Sequence, residues 1–350
     1  ANTTGASNIA VGSSALVGCT TGSDNTAVGV NALDAAVTGG TNVAVGNSAL
    51  GSLTSGYGNT AIGYNSLQSL TTAANITALG ISAGQNITTG GGNTAIGNLA
   101  LNACVTGTAN TMVGSQAGRL ITGSDNVGVG MDVLYDCTSG SRNVAIGAGG
   151  NGHTAGALAN LTTGSDNVAI GYRAMRDSTT AINNTAVGKN TLLVNTTGQE
   201  NTAFGMEALA ANTTANVNTA IGYAALYSNT TGTNNVAVGH AARYLNTTGG
   251  NNTAIGKAAL DANTTGIENT AVGYLALTAN TTGGYNTAFG RSALSNTTTG
   301  GSNVALGYGA LTDATTAIYN IGIGYRTGGY SVALTTGSNN ILIGTDAYTS

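Results

Sequence analysis

Short apolar segments punctuate the chain at a constant interval, with polar and glycine-rich stretches between them. Each segment reads Asn, then Thr or Val, then Ala, then an aliphatic or Phe, then Gly, as in Asn252-Thr253-Ala254-Ile255-Gly256. The next begins 17 residues on, at Asn269, and the preceding ones begin at Asn235 and Asn218. The closing glycine falls at 12, 29, 46, 63, 80, 97, 114, 130, 147, 171, 188, 205, 222, 239, 256, 273, 290, 307, 324 and 344. The step is 17 except for 16 residues from Gly114 to Gly130, an excess of seven before Gly171 and one of three before Gly344. A fixed period over the whole chain means a repeat architecture.

Numbering the repeat from its Asn, β-branched residues bounded by Gly predict a strand at positions 2 to 4. Positions 8 and 9 are usually Ala-Leu, as in Ala225-Leu226 and Ala293-Leu294. Positions 13 to 15 are typically Thr-Thr-Gly, which predicts a turn whose glycine takes positive φ. Seventeen residues accommodate two short strands and two turns, but not a strand, a full helix and two connections. The Ala-Leu segment is expected to be the second strand, with a single helical turn as the alternative. The expected fold is therefore all-β, a parallel β-solenoid (β-roll) of about 20 coils with two short strands per coil. At about 4.8 Å per coil such a body would be roughly 95 Å long.

Stacking of like on like explains which residues the columns tolerate. A charged column would set like charges opposite one another, whereas an Asn amide donates to one neighbour and accepts from the other. Position 1 reads as such a ladder, through Asn218, Asn235, Asn252, Asn269 and Asn286, with a lapse at Ile76. Position 12 offers a second, through Asn195, Asn212, Asn229, Asn246, Asn263 and Asn280. In the first half that column is apolar (Cys19, Leu53, Leu70, Cys104), so it is expected to point inward. On this reading 1–147 holds coils with an apolar position 12, 148–154 is an insertion, and 155–350 holds coils with a mostly polar one. Cys19, Cys104 and Cys137 share the column but stand roughly 24 and 10 Å apart along the axis, beyond the ~7 Å between bridged Cα atoms. Buried free thiols are expected. Several position-12 asparagines are also Asn-x-Thr acceptors, a reading that competes with burial.

Composition narrows the function classes. Of 350 residues only 6% are charged; there are 56 glycines and no proline or tryptophan. The net charge of −4 is spread thinly and does not suggest a nucleic-acid partner. The apolar share, 41%, is too high and too regularly placed for disorder. Residues 208–239 carry no charge, but Asn, Thr and Gly interrupt them too often for a membrane span. Ala1-Asn2-Thr3-Thr4-Gly5 lacks the basic and apolar regions of a signal peptide and reads as the tail of a preceding repeat, part of a longer chain.

Positions 2 to 4 carry no charge in any copy, although successive side chains face opposite ways. One face can line the coil interior; the other calls for a partner. The expected second strand and its flanks accept Arg173, Glu207, Lys257, Asp261 and Arg291, so that side is expected to be wet. Parallel copies around a common axis, most simply three, satisfy both conditions. The Asn-Thr-Ala-Ile-Gly segment followed by x-x-Ala-Leu resembles the head repeats of trimeric autotransporter adhesins (the YadA-like family) and the shaft repeats of phage tail fibres. The resemblance spans the chain on matches of five to nine residues. It implies a homotrimeric β-roll used for attachment, extracellular at a cell surface or on a virion.

Catalytic chemistry is hard to assemble. The two histidines, His153 and His240, are roughly five coils apart, and no triad, carboxylate pair or metal-ligand cluster emerges. No catalytic residue, metal or cofactor is expected, and the chain reads as a non-enzyme. Gly128-Val129-Gly130 belongs to the repeat rather than to a phosphate loop. The column after the motif glycine is the candidate binding site: Tyr223, His240, Lys257, Tyr274, Arg291, Tyr308 and Tyr325. Aromatic and basic groups along one edge suit sugar rings and acidic glycans, although large side chains can simply cover a corner. The Thr-Thr pairs (Thr213-Thr214, Thr230-Thr231, Thr247-Thr248) raise ice binding as an alternative. The loop Ala148–Thr154 is a further place for a lateral contact. The expected function is a structural rod of an attachment fibre that adheres to surface polysaccharide, with end-to-end filament assembly as the competing reading.

Overall fold

The computed structural model describes residues 3–149, 156–329 and 334–347. The chain divides into two compact units, Ala1–Ala181 and Ile182–Ser350. Each is an all-β parallel solenoid. In the first unit the three-residue strands run from β1 (Ile9–Val11) to β10 (Val168–Ile170), and in the second from β11 (Thr185–Val187) to β20 (Ile341–Ile343). Within each unit, strands adjacent in sequence pair in parallel and in register. Thus Thr253 lies opposite Thr270, Ala254 opposite Ala271 and Ile255 opposite Val272.

The strand is short because its two ends do different work. The middle residue, Ala in most coils, points inward and is fully buried, as at Ala27, Ala254 and Ala271. Positions 2 and 4 point outward, so Phe204, Ile255 and Phe289 are exposed in the single chain. The motif glycine then ends the strand with φ near +131° at Gly256, and a Cβ there would lie 2.6 Å from the Gly273 carbonyl oxygen of the next coil. Backbone conformation and stacking distance both demand glycine at this position.

The Ala-Leu segment is neither a second strand nor a helical turn, which corrects the expectation of two strands per coil. It is a pair of tight turns: Ala259 N donates to Gly256 O (3.3 Å) and Asn263 N to Leu260 O (3.2 Å). Positions 7 and 9 are left-handed, with φ of 52° at Ala258 and 53° at Leu260. Their amides bond to different coils, Ala258 N to His240 O of the preceding coil and Leu260 N to Ala276 O of the following one, both at 3.0 Å. A left-handed Leu costs roughly 1–2 kcal/mol. Burying its side chain returns about 1.5–3 kcal/mol. Leu260 is fully buried, so burial prevails.

The Thr-Thr-Gly glycine also departs from expectation, because Gly232, Gly249 and Gly266 are absent from the positive-φ residues. Glycine is needed there for clearance: a Cβ on Gly266 would lie 2.3 Å from Gly283 O. Positive φ falls instead just before the motif Asn, at Glu268 (56°) and Asn251 (57°).

Position 12 is interior in nearly every described coil; in the coil of Asn25 it is exposed at Ala36, and Val37 is buried instead. Leu53, Leu70, Ile87, Cys104, Ile121 and Cys137 are buried in the first unit, and Asn195 through Asn280 in the second. The three cysteines are free and buried. Between the insertion and Asn195 the column holds Leu161 and then Ser178, both fully buried. Most of that insertion, with His153, lies outside the described residues.

Candidate functional site

Position 6 is the first residue of the turn that follows the motif glycine, so its side chain leaves the coil outward. All seven stripe residues lie in the second unit and all are exposed. Stacked coils bring their side chains into contact along the axis. The Tyr223 and His240 rings are 5.0 Å apart with an interplanar angle of 31°. The Lys257 ammonium lies 6.0 Å from the Tyr274 ring centre. The Arg291 guanidinium sits between Tyr274 and Tyr308, 5.5 Å from each. Tyr308 and Tyr325 stack at 5.3 Å and 12°.

The sequence reading missed two parts of this surface. Position 7 also supplies cations: Arg326 lies 5.1 Å from Tyr325 and 5.9 Å from Tyr308, and Arg173 lies 5.1 Å from Tyr172. A second aromatic column stands at position 10, where Tyr227 and Tyr244 stack at 5.0 Å and 9°. Tyr227 and Tyr244 stand 17 residues apart, so their pairing is visible in the repeat, whereas the arginines of position 7 have no like neighbour in their column.

The Asn columns lie inside, behind this surface. At position 1, Asn269 N and Nδ2 both donate to Asn252 Oδ1 (2.8 and 3.1 Å), while Asn269 Nδ2 also donates to Gly283 O at 2.8 Å. Asn235 N bonds Asn218 Oδ1, and Asn286 N bonds Asn269 Oδ1, both at 3.0 Å. At position 12, Asn212 Nδ2 donates to Asn195 Oδ1 (2.8 Å), Asn229 to Asn212 (3.0 Å), Asn246 to Asn229 (2.6 Å) and Asn280 to Asn263 (2.8 Å). These asparagines are fully buried, so the folded chain does not present their sequons to a glycosyltransferase.

Arg243 reaches into both columns. It replaces Leu at position 9, is completely buried, and donates to Asn235 Oδ1 and Asn246 Oδ1. Burial pushes its pKa down to about 9, which leaves it charged at neutral pH. The adjoining rungs are long, with Asn252 Nδ2 to Asn235 Oδ1 at 3.4 Å and Asn263 Nδ2 to Asn246 Oδ1 at 3.3 Å.

The first Thr of each Thr-Thr pair donates its hydroxyl to the next coil's backbone, Thr213 to Thr230 O (3.1 Å) and Thr230 to Thr247 O (3.0 Å). One hydroxyl of each pair is therefore committed to the fold, which weakens the case for an ice-ordering array on this column. Among the described residues no three His, Cys, Asp or Glu side chains lie close enough to hold a metal ion, and no cavity is found. No described helix is long and apolar enough to cross a membrane. No protein-family model matches the chain, and no curated protein matches it.

Proposed function

We propose that this chain is a structural, non-enzymatic segment of an extracellular attachment fibre, an adhesin head or a tail-fibre shaft, that holds surface polysaccharide along its aromatic and basic stripe. The observation that carries this reading is the exposed row from Tyr223 to Tyr325, which repeats one recognition element per coil. Stacked rings offer flat apolar faces to sugars, and the interleaved cations suit acidic groups. A repetitive polymer is the natural ligand for a repetitive surface, because each added coil adds a contact at little further ordering cost.

The same reading has three copies turning their strand faces toward a shared axis. Positions 2 and 4 are uncharged in every strand, and another copy is a partner with the same coil spacing. Immobilised acidic polysaccharide should retain the chain, and the pair Tyr274→Ala with Arg291→Gln should release it. Retention unchanged in that double variant would remove the stripe from the proposal.

A further inference from the structure

The positive charges along the stripe are themselves periodic. Lys257 and Arg291 occupy position 6 two coils apart, and Arg326 adds a guanidinium two coils further on. Tyr274 and Tyr308 occupy position 6 of the coils between them. At about 4.8 Å per coil, one cation recurs roughly every 9.6 Å with an aromatic face midway. One coil advances the surface by a distance comparable to one pyranose of an extended chain, so two coils match a disaccharide.

Contact with tyrosine rings, rather than ion pairing, holds the two cations of position 6. Stacking between Tyr274 and Tyr308, 5.5 Å from each, restrains the Arg291 side chain and leaves its N–H edge available for a bidentate contact. Neither Lys257 nor Arg291 pairs with a carboxylate among the described residues. The coil after Arg326 carries Asp346 at the same turn, which ends the row of positive charge.

We infer that the stripe binds a linear polysaccharide of alternating neutral and anionic sugars, lying along the coil axis with anions on Lys257, Arg291 and Arg326 and neutral rings over Tyr274 and Tyr308. The inference rests on the glycan reading above and adds the ligand's charge period. A uniformly anionic chain would place every second charge over a tyrosine face, where the ring quadrupole repels it. A neutral chain would leave the cations without partners. A single-stranded nucleic acid fits less well, because its charge falls on every nucleotide.

The test compares four polymers on the intact chain at one ionic strength: hyaluronan oligosaccharides (one carboxylate per disaccharide), oligogalacturonate (one per sugar), dextran and single-stranded DNA. Hyaluronan is expected to bind most tightly, and Arg291→Gln to weaken it by about tenfold, as for the loss of one charge-assisted contact. Arg142→Gln, in the other unit, should change nothing, and the melting curves of both variants should match the parent. Oligogalacturonate or DNA binding as tightly as hyaluronan would overturn the charge period, and equal dextran binding would overturn the role of the cations. Either result with a sugar polymer leaves the glycan reading intact. Failure of all three sugar polymers to bind would overturn that reading as well.

Discussion

Arg243 shows how a single side chain is judged against its column. Every neighbouring coil places an apolar side chain at position 9, such as Leu226 or Leu260, and the guanidinium here lies among buried amides with its Nε unpartnered. Its acceptors do not depend on it, because Asn235 Oδ1 also receives Asn252 N at 3.0 Å and Asn246 Oδ1 also receives Asn263 Nδ2. Replacing a buried charge by a fitting aliphatic often stabilises by about 1–4 kcal/mol. Arg243→Leu is therefore expected to raise the denaturation midpoint of the second unit, and a fall would mean that the bridge between the Asn columns outweighs desolvation. The thiols make a second residue-scale prediction. Burial pushes Cys104 up to about 11 and Cys137 up to about 12. The folded thiols keep their protons at a pH where the unfolded chain has lost them, so this stability is complete below the unfolded value near 8.5 and disappears as pH climbs through 11 and 12. Melting of the first unit should fall across that window, and Cys104→Val with Cys137→Val should flatten the fall; an unchanged slope in that variant would assign it to other groups.

Two glycines that flank one motif Asn, Gly250 before it and Gly256 after it, separate the requirements of the turn from those of the strand. Gly256 has φ of +131° and would place a Cβ 2.6 Å from backbone, whereas Gly250 has an ordinary φ and would place one 3.1 Å from Thr233 O. Gly256→Ala should cost about 3 kcal/mol or more and Gly250→Ala less than about 1 kcal/mol, read as denaturant midpoints. Similar losses for both would mean that the stack can shift locally to admit a methyl group. The period, the parallel strands and the inward position-12 column were legible because each depends on a residue recurring in register. The Ala-Leu segment was not. Its left-handed Ala258 and Leu260 contradict local preference, and amide bonds to His240 and Ala276 in the flanking coils hold them there. Nothing within one repeat reports a bond to the next. The Thr-Thr-Gly glycine was misread for the same reason, since the close approach of Gly283 O to Gly266 sets it rather than a local turn preference. The stripe residues stand in one column, so their adjacency was legible, whereas Arg326 reaches them from the adjacent position and needs side-chain geometry to be assigned.

At the scale of the whole molecule the open question is what lies against the outward strand face. Ile221, Ile255 and Phe289 are 40%, 41% and 54% exposed, and all belong to an uncharged surface that repeats with every coil. Continuous apolar patches of this kind mark interaction sites. The occupant must keep step with the coil spacing over many layers, since a slightly different repeat would drift out of register within a few coils; another copy of the chain meets that condition without further tuning. Ile221→Lys with Ile255→Lys tests this without touching the interior, because position 4 points outward and Ala220 and Ala254 stay buried. The two substitutions lie two coils apart with Val238 between them, so the lysines do not face one another directly and the coil should persist. Light scattering should find three copies in the parent and one in the variant, with matching circular dichroism. A parent that weighs as one chain, or a variant that remains trimeric, would show that the strand face is not where copies meet.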